Sequence, residues 1–391
     1  MIQRFLTTQL DLLVKQFPVI TITGPRQSGK TTLAKTYFHD YKYVNLENPE
    51  NRDYAIDDPK GFLNDNKAPV IFDEIQRVPK LLSYIQDIVD MHDLLGQYIL
   101  TCSHQPTLKE KVSQSLAGRT GILQLLPLSI AELTNAGLDF DKNELIYRGF
   151  LPKLYKINGK PNLEYSNYYH TYVERDVTQL INLRFKREFE IFLRLLAGRI
   201  GQLINLNSMS NDVGVSVKTL SEWLNVLETS FIIFRLPCYF ENFGKRLVKT
   251  PKLYFTEVGL ASWLLGITDL KQVSTHPLIG NLFENMVIIE ALKHRFNSGK
   301  ENDLYFFRDQ RGFEIDLLIA DGTKILPFEI KSAQTYISDF AKNLKQFPER
   351  SENIQPGYVV YSGDLERNSQ PFVINYKNIS NAIERSLPNQ A

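Results

Sequence analysis

The chain has 391 residues, of which 43% are hydrophobic and 23% are charged, a composition typical of a folded protein with about two to four domains. Its formal net charge of +1 excludes a chain-wide attraction to nucleic acid or membranes, although it allows a local basic face. Cys102 and Cys238 are far apart in sequence, so we expect a reducing, cytoplasmic setting. No apolar run reaches the roughly 20 residues of a membrane span, and no membrane partner is predicted.

The first predicted elements are a helix, a buried strand and a glycine-containing loop. Leucines at helical spacing in MIQRFLTTQLDLLVKQF, interrupted by Asp11 and Lys15, predict a packed helix and not a signal peptide. The apolar, β-branched PVITIT predicts a strand, and TTLAKTYF predicts a helix. Between them, GPRQSGKTT fits the pattern G-x-x-x-x-G-K-[ST]. Strand, loop and helix in this order are the context that a phosphate-binding loop requires.

The chemistry of this loop explains its spacing. Backbone N–H groups of a tight loop surround phosphates, and the following helix adds its positive N-terminal end. Lys30 is expected to reach the β- and γ-phosphates of ATP, and the Thr31 hydroxyl to bind Mg²⁺. The residues predicted to bind the nucleotide are Gly24, Pro25, Arg26, Gln27, Ser28, Gly29, Lys30, Thr31 and Thr32.

A second motif supports this prediction. In APVIFDEIQRV an apolar run ends in Asp73 and Glu74, which is typical of a buried parallel strand whose carboxyl end faces a ligand. Asp73 is predicted to hold Mg²⁺ directly or through water. Glu74 is predicted to orient and deprotonate the attacking water. A solvated strand end is the alternative, and the presence of both motifs in one chain disfavours it.

Two further candidates for ATP hydrolysis follow, each with an equal alternative. The strand QYILTCSHQ carries Ser103, our first candidate for the residue that senses the γ-phosphate, and Thr101, our second. Either hydroxyl also fits a cap for the next predicted helix, PTLKEKVSQSLAG. Arg119 follows that helix, where an arginine finger acting on a neighbouring subunit of a homo-oligomer is expected. An exposed arginine paired with a carboxylate is its alternative.

The regular alternation of strands and helices ends after Leu133, and four regions are predicted. Residues 1–135 are expected to form a P-loop, AAA+-like ATPase domain with a parallel sheet, and residues 136–185 a helical connector. Residues 186–275 are expected to form a winged helix-turn-helix domain. Residues 276–391 are expected to form a C-terminal α/β domain, so the chain belongs to the α/β class.

The central region contains a helix-turn-helix pattern. KREFEIFLRLLAGR predicts an amphipathic helix, and two further helices flank the turn at Gly214. Ser216 predicts the N-cap of the second of these helices, and the apolar run after it predicts the strands of a wing.

DNA contact by this module is an open question in the sequence. Phosphate binding needs several lysines or arginines on one face. The candidate recognition helix carries Lys218 but also Glu222 and Glu228, whereas the nearby NFGKRLVK is basic. DNA binding and a purely structural winged helix are therefore equal alternatives. The basic residues of NFGKRLVK are Lys245, Arg246 and Lys249.

Acidic residues of the C-terminal region predict a second site. Glu284 lies early in the predicted helix LIGNLFENMVIIEALKHRF, and Asp316 lies in the predicted strand GFEIDLLIA. Glu329 and Lys331 share one face of the next strand, KILPFEIKSA. Converging carboxylates can hold Mg²⁺ or Mn²⁺ to cleave a phosphodiester, with the lysine placing the attacking water. The alternative is the acid/apolar alternation of any half-exposed strand.

Residues 17 to 347 resemble a prokaryotic family of AAA+-like ATP-binding proteins whose C-terminal domain of unknown function is assigned to the PD-(D/E)XK nuclease superfamily. The resemblance is carried in order by GPRQSGKTT, VIFDEIQRVPKLL, SLAGRTGILQLLPLS, YVERDV, HPLIGNLFEN and EIDLLI with PFEIKS, among other stretches. It implies a restriction-endonuclease-like C-terminal fold. This chain has Cys102, Ser103 and His104 where the family has Gly-Ser-Ser, which leaves the sensor assignment open.

The resemblance also implies roles for individual residues. ATP and Mg²⁺ bind at Lys30, Thr31 and Asp73, and Glu74 acts in hydrolysis. The residues at the nuclease motif positions are Glu284, Asp316, Glu329 and Lys331.

Three functions follow from the sequence. The first is an ATPase that couples ATP hydrolysis to movement of the C-terminal regions. The second adds a metal-dependent nuclease, using Mg²⁺ or Mn²⁺, that acts on DNA. The third is a non-enzymatic switch in which nucleotide controls assembly or DNA binding.

Overall fold

The computed structural model describes residues 2–92, 94–103, 116–157, 159–177, 185–239, 250–350 and 352–388. The chain divides into two compact units. The first contains Met1–Leu128, Thr229–Phe231 and Arg295–Lys300, and the second contains Ser129–Glu228, Ile232–His294 and Glu301–Ala391. The domain boundaries predicted near residues 185 and 275 both fall inside the second unit, and they stay predictions.

The first unit contains a five-stranded parallel sheet in the order β2-β3-β4-β1-β5. This is the parallel sheet that the apolar runs of the sequence predicted. The central strands are buried on both faces because helices cover both sides of the sheet. The strands are β1 (Val19–Thr23), β2 (Lys42–Asn45), β3 (Val70–Asp73), β4 (Tyr98–Cys102) and β5 (Thr120–Gln124).

Two apolar cores cover the two faces of this sheet. Alternate residues of β3 separate between them: Phe72 packs in one core and Ile71 in the other. Leu33 and Ala34 of α2 pack on the Ile71 side, and Phe62 of α4 on the Phe72 side. The helices are α1 (Thr7–Leu13), α2 (Lys30–Tyr37), α3 (Pro49–Asp57), α4 (Pro59–Asp65) and α5 (Leu81–Met91), with a 3₁₀ turn at Ile75–Arg77.

Sequence signals define the starts of α3 and α4. Proline occupies the first helical position of α3 and α4, and the side chains of Asn48 and Asp58 cap these helices. An N–H group at the first helical position has no partner within the helix, so the missing N–H of proline costs no hydrogen bond there.

Because β1, β3 and β4 are parallel, their carboxyl ends lie at one edge of the sheet, which is where ligands bind in this architecture.

The second unit begins with short helices. The π-helical segment Tyr169–Val177 follows a run of buried tyrosines, among them Tyr165 and Tyr168. Among the helices that the structure describes, none is long and apolar enough to cross a membrane. The helices up to residue 297 are α6 (Ile130–Asn135), α7 (Lys142–Arg148), α8 (Pro152–Lys156), α9 (Pro161–Tyr168), α10 (Lys186–Gly198), α11 (Leu206–Val213), α12 (Val217–Thr229), α13 (Val258–Leu264), α14 (Leu270–Val273) and α15 (Ile279–Asn297).

The helices predicted on both sides of Gly214 are present as α11 and α12. Gly214 follows α11 with a φ of 79°, a conformation that favours glycine. The Ser216 hydroxyl accepts a hydrogen bond from the Thr219 N–H at 3.1 Å, which caps α12. An antiparallel pair follows, β6 (Ile233–Leu236) and β7 (Lys252–Phe255). The winged-helix assignment stays a prediction, and Lys245, Arg246 and Lys249 lie outside the described residues.

The C-terminal region forms a mixed five-stranded sheet in the order β12-β11-β10-β9-β8. Strands β8, β9 and β10 pair antiparallel, and β10, β11 and β12 pair parallel. The bounds are β8 (Leu304–Arg308), β9 (Glu314–Asp321), β10 (Lys324–Lys331), β11 (Tyr358–Tyr361) and β12 (Phe372–Asn375). The remaining helices are α16 (Lys342–Gln346) and α17 (Ile379–Ser386), with 3₁₀ turns at Ser338–Ala341, Phe347–Arg350 and Tyr376–Asn378.

The strands predicted at GFEIDLLIA and KILPFEIKSA are present as β9 and β10. Gly322 has a φ of 61° in the turn between β9 and β10. Phe307, Leu318 and Val359 pack in a core on one side of the sheet. The mixed sheet is an α/β element, and its assignment to the restriction-endonuclease-like fold stays a prediction.

Candidate functional site

The predicted phosphate-binding loop connects β1 to α2. Gly24 has a φ of 151°, and a Cβ atom there would lie 2.1 Å from the Leu125 carbonyl oxygen. Gly29 precedes α2 with a φ of 98°. Both glycines of the motif are therefore required by the backbone, because side chains at these positions would clash or adopt a strained conformation. Helix α2 begins at Lys30, so its first N–H groups face the loop.

The Lys30 side chain folds back into this loop. Its Nζ donates hydrogen bonds to the carbonyl oxygens of Gly24 at 3.0 Å and Pro25 at 2.8 Å. Burial lowers the pKa of Lys30, and the charge of Glu74 opposes this shift. A partly desolvated ammonium gains more from a phosphate than one in water does.

Thr31 and Asp73 lie side by side, as the two motifs predict. The Thr31 hydroxyl lies 2.9 Å and 3.0 Å from the two carboxylate oxygens of Asp73. Tyr43 donates a further hydrogen bond to Asp73 at 2.8 Å, and Thr101 donates another. A hydroxyl beside a carboxylate is an all-oxygen donor set, which suits Mg²⁺. The residues present therefore fit this ion.

Glu74 is held at the end of β3 by the next strand. Its N–H donates to the Thr101 hydroxyl at 3.1 Å, and Ser103 donates to its carboxylate at 2.6 Å. Gln76 also donates to this carboxylate. Glu74 has a φ of 60°, which non-glycine residues rarely adopt and which costs about 1–3 kcal/mol. Both sensor candidates therefore contact the acidic motif, and the helix predicted at PTLKEKVSQSLAG falls mostly on residues 104–115, which lie outside the described residues.

The other loop residues lie as follows. Pro25 and Ser28 are buried, whereas Gln27 and Thr32 are exposed. The Ser28 hydroxyl has no hydrogen-bond partner among the described residues. Arg26 donates to Glu47 at 3.0 Å.

Arg4 is a site residue that the sequence analysis missed. Its guanidinium donates to the Ser28 carbonyl oxygen at 2.7 Å and to the Leu126 carbonyl oxygen at 2.6 Å. The side chain is buried. Its hydrogen bonds connect the phosphate-binding loop to the segment after β5. A lone arginine before an amphipathic helix gives no local signal for this contact.

Arg119 forms an ion pair within its own chain. Its Nε and Nη2 donate to the carboxylate of Asp90, with Nη2 at 2.9 Å. The pair raises the pKa of Arg119 and lowers that of Asp90. This is the geometry of the exposed ion pair that was the alternative to an arginine finger. Action on a neighbouring subunit stays a prediction.

The predicted C-terminal residues come together around one cavity. Lys331 Nζ contacts the carboxylates of Asp316 at 2.9 Å and Glu329 at 2.5 Å. Glu284, Asp316 and Lys331 line a cavity of about 320 Å³. The Ile330 N–H donates to Asp316 at 2.8 Å across β9 and β10. Antiparallel pairing of these strands thus produces the convergence that the sequence predicted.

Two residues of β7, which the sequence analysis missed, complete this cluster. Lys252 Nζ lies 3.2 Å from Glu284 and 2.6 Å from Glu314. The Tyr254 hydroxyl donates to Glu284 at 2.5 Å. The spacing of Lys252 and Tyr254 in KLYF places both on one face of the strand but does not identify their partners.

Burial and neighbouring charges perturb the pKa values of this cluster. Burial alone lowers the pKa of Lys252, but the charges of Glu284 and Asp316 raise it above its usual value. Burial raises the pKa of Glu284. Burial and the charge of Asp316 raise the pKa of Glu329 to about 8. Burial opposes ionisation of Asp316, but Lys331 and Lys252 lower its pKa.

The predicted metal-binding carboxylates do not have the arrangement of a metal site. In the part of the chain that the structure describes, no group of three or more His, Cys, Asp or Glu side chains is placed to hold a metal ion. The physical reason is that ammonium groups contact these carboxylates. Metal binding at Glu284, Asp316 and Glu329 stays a prediction, and the residues as arranged do not fit a divalent ion.

Three family models match separate parts of the chain. Residues 16–134 match an AAA domain. Residues 140–271 and 279–379 match two domains of unknown function, DUF8612 and DUF4143. The predicted resemblance is thus confirmed for an AAA+-like N-terminal domain, and the nuclease superfamily stays a prediction. Arg4 precedes the matched AAA segment, and Lys252 lies in the DUF8612 segment.

Two relatives are uncharacterized proteins, one of Mycobacterium bovis and one of Mycobacterium tuberculosis. Each is 29% identical over 337 residues, which cover 85% of this chain and 74% of the relative.

Two solved structures show a weak likeness. The Walker-type ATPase of Pyrococcus abyssi covers 66% of this chain and 94% of its own, at 14% identity and a TM-score of 0.44. AMPPCP-bound DnaA from Aquifex aeolicus covers 57% of this chain and 85% of its own, at 16% identity and a TM-score of 0.29.

Proposed function

We propose that the AAA domain binds ATP with Mg²⁺ at residues 24–32 and hydrolyses it. The observation that carries this proposal is the contact between Thr31 and Asp73, 2.9 Å between the hydroxyl and carboxylate oxygens. The two residues come from different motifs, and their contact supplies adjacent oxygen ligands beside a glycine loop. A solvated strand end would have no reason to meet the loop in this way.

Each residue has a role in this proposal. Lys30 binds the β- and γ-phosphates from inside the loop, and Thr31 and Asp73 hold Mg²⁺, which supplies charge neutralisation at the phosphates. Glu74 orients the attacking water and accepts its proton. Ser103 holds the Glu74 carboxylate at 2.6 Å, which supports its role as the residue that couples the γ-phosphate to Glu74.

Two substitutions test this proposal with opposite outcomes. Lys30→Ala removes the ammonium that pairs with the phosphates, so nucleotide binding is expected to be lost. Glu74→Gln keeps the size of the side chain but removes the base, so ATP is expected to bind and remain unhydrolysed. Equilibrium binding and phosphate release measure both. Hydrolysis at the wild-type rate by both variants would contradict the proposal.

A non-enzymatic switch is the alternative outcome of the same measurements. In that case the wild type forms a tight nucleotide complex with no turnover, and its assembly or DNA binding depends on ATP. Phosphate release by the wild type above that of Lys30→Ala would exclude this alternative.

We further propose DNA as the partner of the C-terminal cavity. The convergence of Asp316, Glu329 and Lys331 on adjacent strands supports this second function. Cleavage is tested by plasmid nicking with Mg²⁺ or Mn²⁺, comparing the wild type with Asp316→Ala. Identical traces would leave DNA binding without cleavage, which a gel-shift titration of the same two proteins measures. If neither protein binds DNA, this second function is ruled out.

A further inference from the structure

Every carboxylate of the C-terminal cavity has a cationic or hydrogen-bonding partner in the fold. Glu284 is contacted by Lys252 at 3.2 Å and by the Tyr254 hydroxyl at 2.5 Å. Lys331 lies between Asp316 and Glu329, at 2.9 Å and 2.5 Å. One oxygen of each of these three carboxylates is therefore already in contact with an ammonium group.

The charges of the cluster nearly balance. Its four carboxylates are matched by three cations, since Arg308 also contacts Glu314, at 3.2 Å. A divalent ion exchanges its hydration shell for several oxygen ligands and needs their negative charge. An ammonium already in contact with those oxygens competes for the same electrons and repels the incoming ion. The carboxylates are Glu284, Glu314, Asp316 and Glu329, and the cations are Lys252, Lys331 and Arg308.

Lys252 is fixed in place by the fold. Its side chain is only 5% exposed, and its backbone is paired with Leu236 of β6 and bridged to Leu203. Its ammonium also lies over the Phe306 ring, 5.5 Å from the centroid. An exposed lysine could move away when a metal binds, but Lys252 is buried and lies on a paired strand. This strand lies outside the DUF4143 segment.

We propose that Lys252 is a built-in counter-cation that takes the place of a divalent metal ion in the C-terminal cavity. The cavity in this fold consequently binds no Mg²⁺ or Mn²⁺ through Asp316. This inference deepens the second proposal above: DNA at this cavity is held without metal-dependent cleavage. The resemblance implies a metal ion that the residues of this cavity do not fit, and the ammonium of Lys252 is the cause.

The first test uses the wild-type cavity. Mn²⁺ binding to the full-length chain is measured by electron paramagnetic resonance without nucleotide, in the wild type and in Asp316→Asn. The expected result is the same number of bound ions and the same affinity for both proteins. Loss of one bound Mn²⁺ in Asp316→Asn would overturn the inference while leaving the ATPase proposal intact, and it would strengthen the nuclease alternative.

The second test removes the counter-cation. Lys252→Met keeps most of the length of the side chain and should create one Mn²⁺ site. The Mn²⁺ affinity of this variant should be at least about tenfold higher than that of the control Lys252→Arg. The double variant with Asp316→Asn should lose the new site. A folded Lys252→Met protein, shown by its circular dichroism and thermal unfolding, that binds no additional Mn²⁺ would overturn the inference. Where this variant fails to fold, the wild-type comparison decides alone.

Discussion

Replacing Arg4 by methionine removes the buried cation that joins the phosphate-binding loop to the segment after β5. Three hydrogen bonds from a charged donor are lost: two short ones, to the carbonyl oxygens of Ser28 at 2.7 Å and Leu126 at 2.6 Å, and a longer one to that of Pro127 at 3.4 Å. Each such bond contributes about 1.5–3 kcal/mol. Methionine also avoids the cost of burying a charge. We therefore expect the free energy of unfolding to fall by about 2–4 kcal/mol.

The same change should weaken nucleotide binding. Arg4 holds the carbonyl of Ser28, one of the loop residues whose N–H groups are expected to contact the phosphates. If the loop loses the free energy of that single bond, the fraction of chains in the binding conformation falls. The apparent affinity for ATP should then fall by about 10- to 100-fold, because 1.4 kcal/mol corresponds to a factor of ten.

Urea unfolding and titration with a fluorescent ATP analogue measure the two effects of Arg4→Met. The matched control is Arg52→Met, since Arg52 is a half-exposed arginine whose ion pair with Asp53 is at 3.5 Å. This control should change the free energy of unfolding by no more than about 0.5 kcal/mol. Wild-type stability and wild-type affinity in Arg4→Met would refute the reasoning.

Three further predictions concern single residues. Ser103→Ala should slow phosphate release by about tenfold and leave ATP affinity unchanged, since Ser103 contacts Glu74; an unchanged rate would remove its role. If Arg119 acts on a neighbouring subunit, turnover per chain rises with protein concentration, and Arg119→Ala abolishes that rise; a rise that persists argues against it. Burial raises the pKa of Glu257 above its ordinary 4.5, so stability from its neutral form is complete below pH 4.5 and is lost as pH rises through the raised pKa. The free energy of unfolding, measured with urea across this pH range, should fall less steeply with pH in Glu257→Gln than in the wild type. Equal slopes for the two proteins would contradict a raised pKa of Glu257.

The phosphate-binding loop was predictable because its geometry is local. The spacing between Gly24 and Gly29 places both at positions where the backbone needs glycine. The contact between Thr31 and Asp73 was predictable for a different reason. Parallel strands bring their carboxyl ends to one edge, so two motifs 42 residues apart meet there.

Arg4 and Lys252 could not be found in the same way. Arg4 contacts carbonyl groups 24 and 122 residues away, and Lys252 contacts a carboxylate 32 residues away. Neither contact is set by a turn, a helical period or a strand alternation. The only physical signal is indirect, because a charge that is buried must find a partner. That rule says that a partner exists and leaves its identity to the tertiary fold.

The partners of the acidic residues, more than the acidic residues themselves, separate the two sites. Thr31, Tyr43 and Thr101 donate neutral hydroxyl hydrogen bonds to Asp73. Such partners orient a carboxylate without cancelling its charge, so it retains its attraction for Mg²⁺. Asp316 is contacted by the ammonium of Lys331 instead, and Lys252 adds a second ammonium to its cluster. Two acidic motifs that the sequence predicts as metal ligands therefore differ in the charge that the fold leaves available.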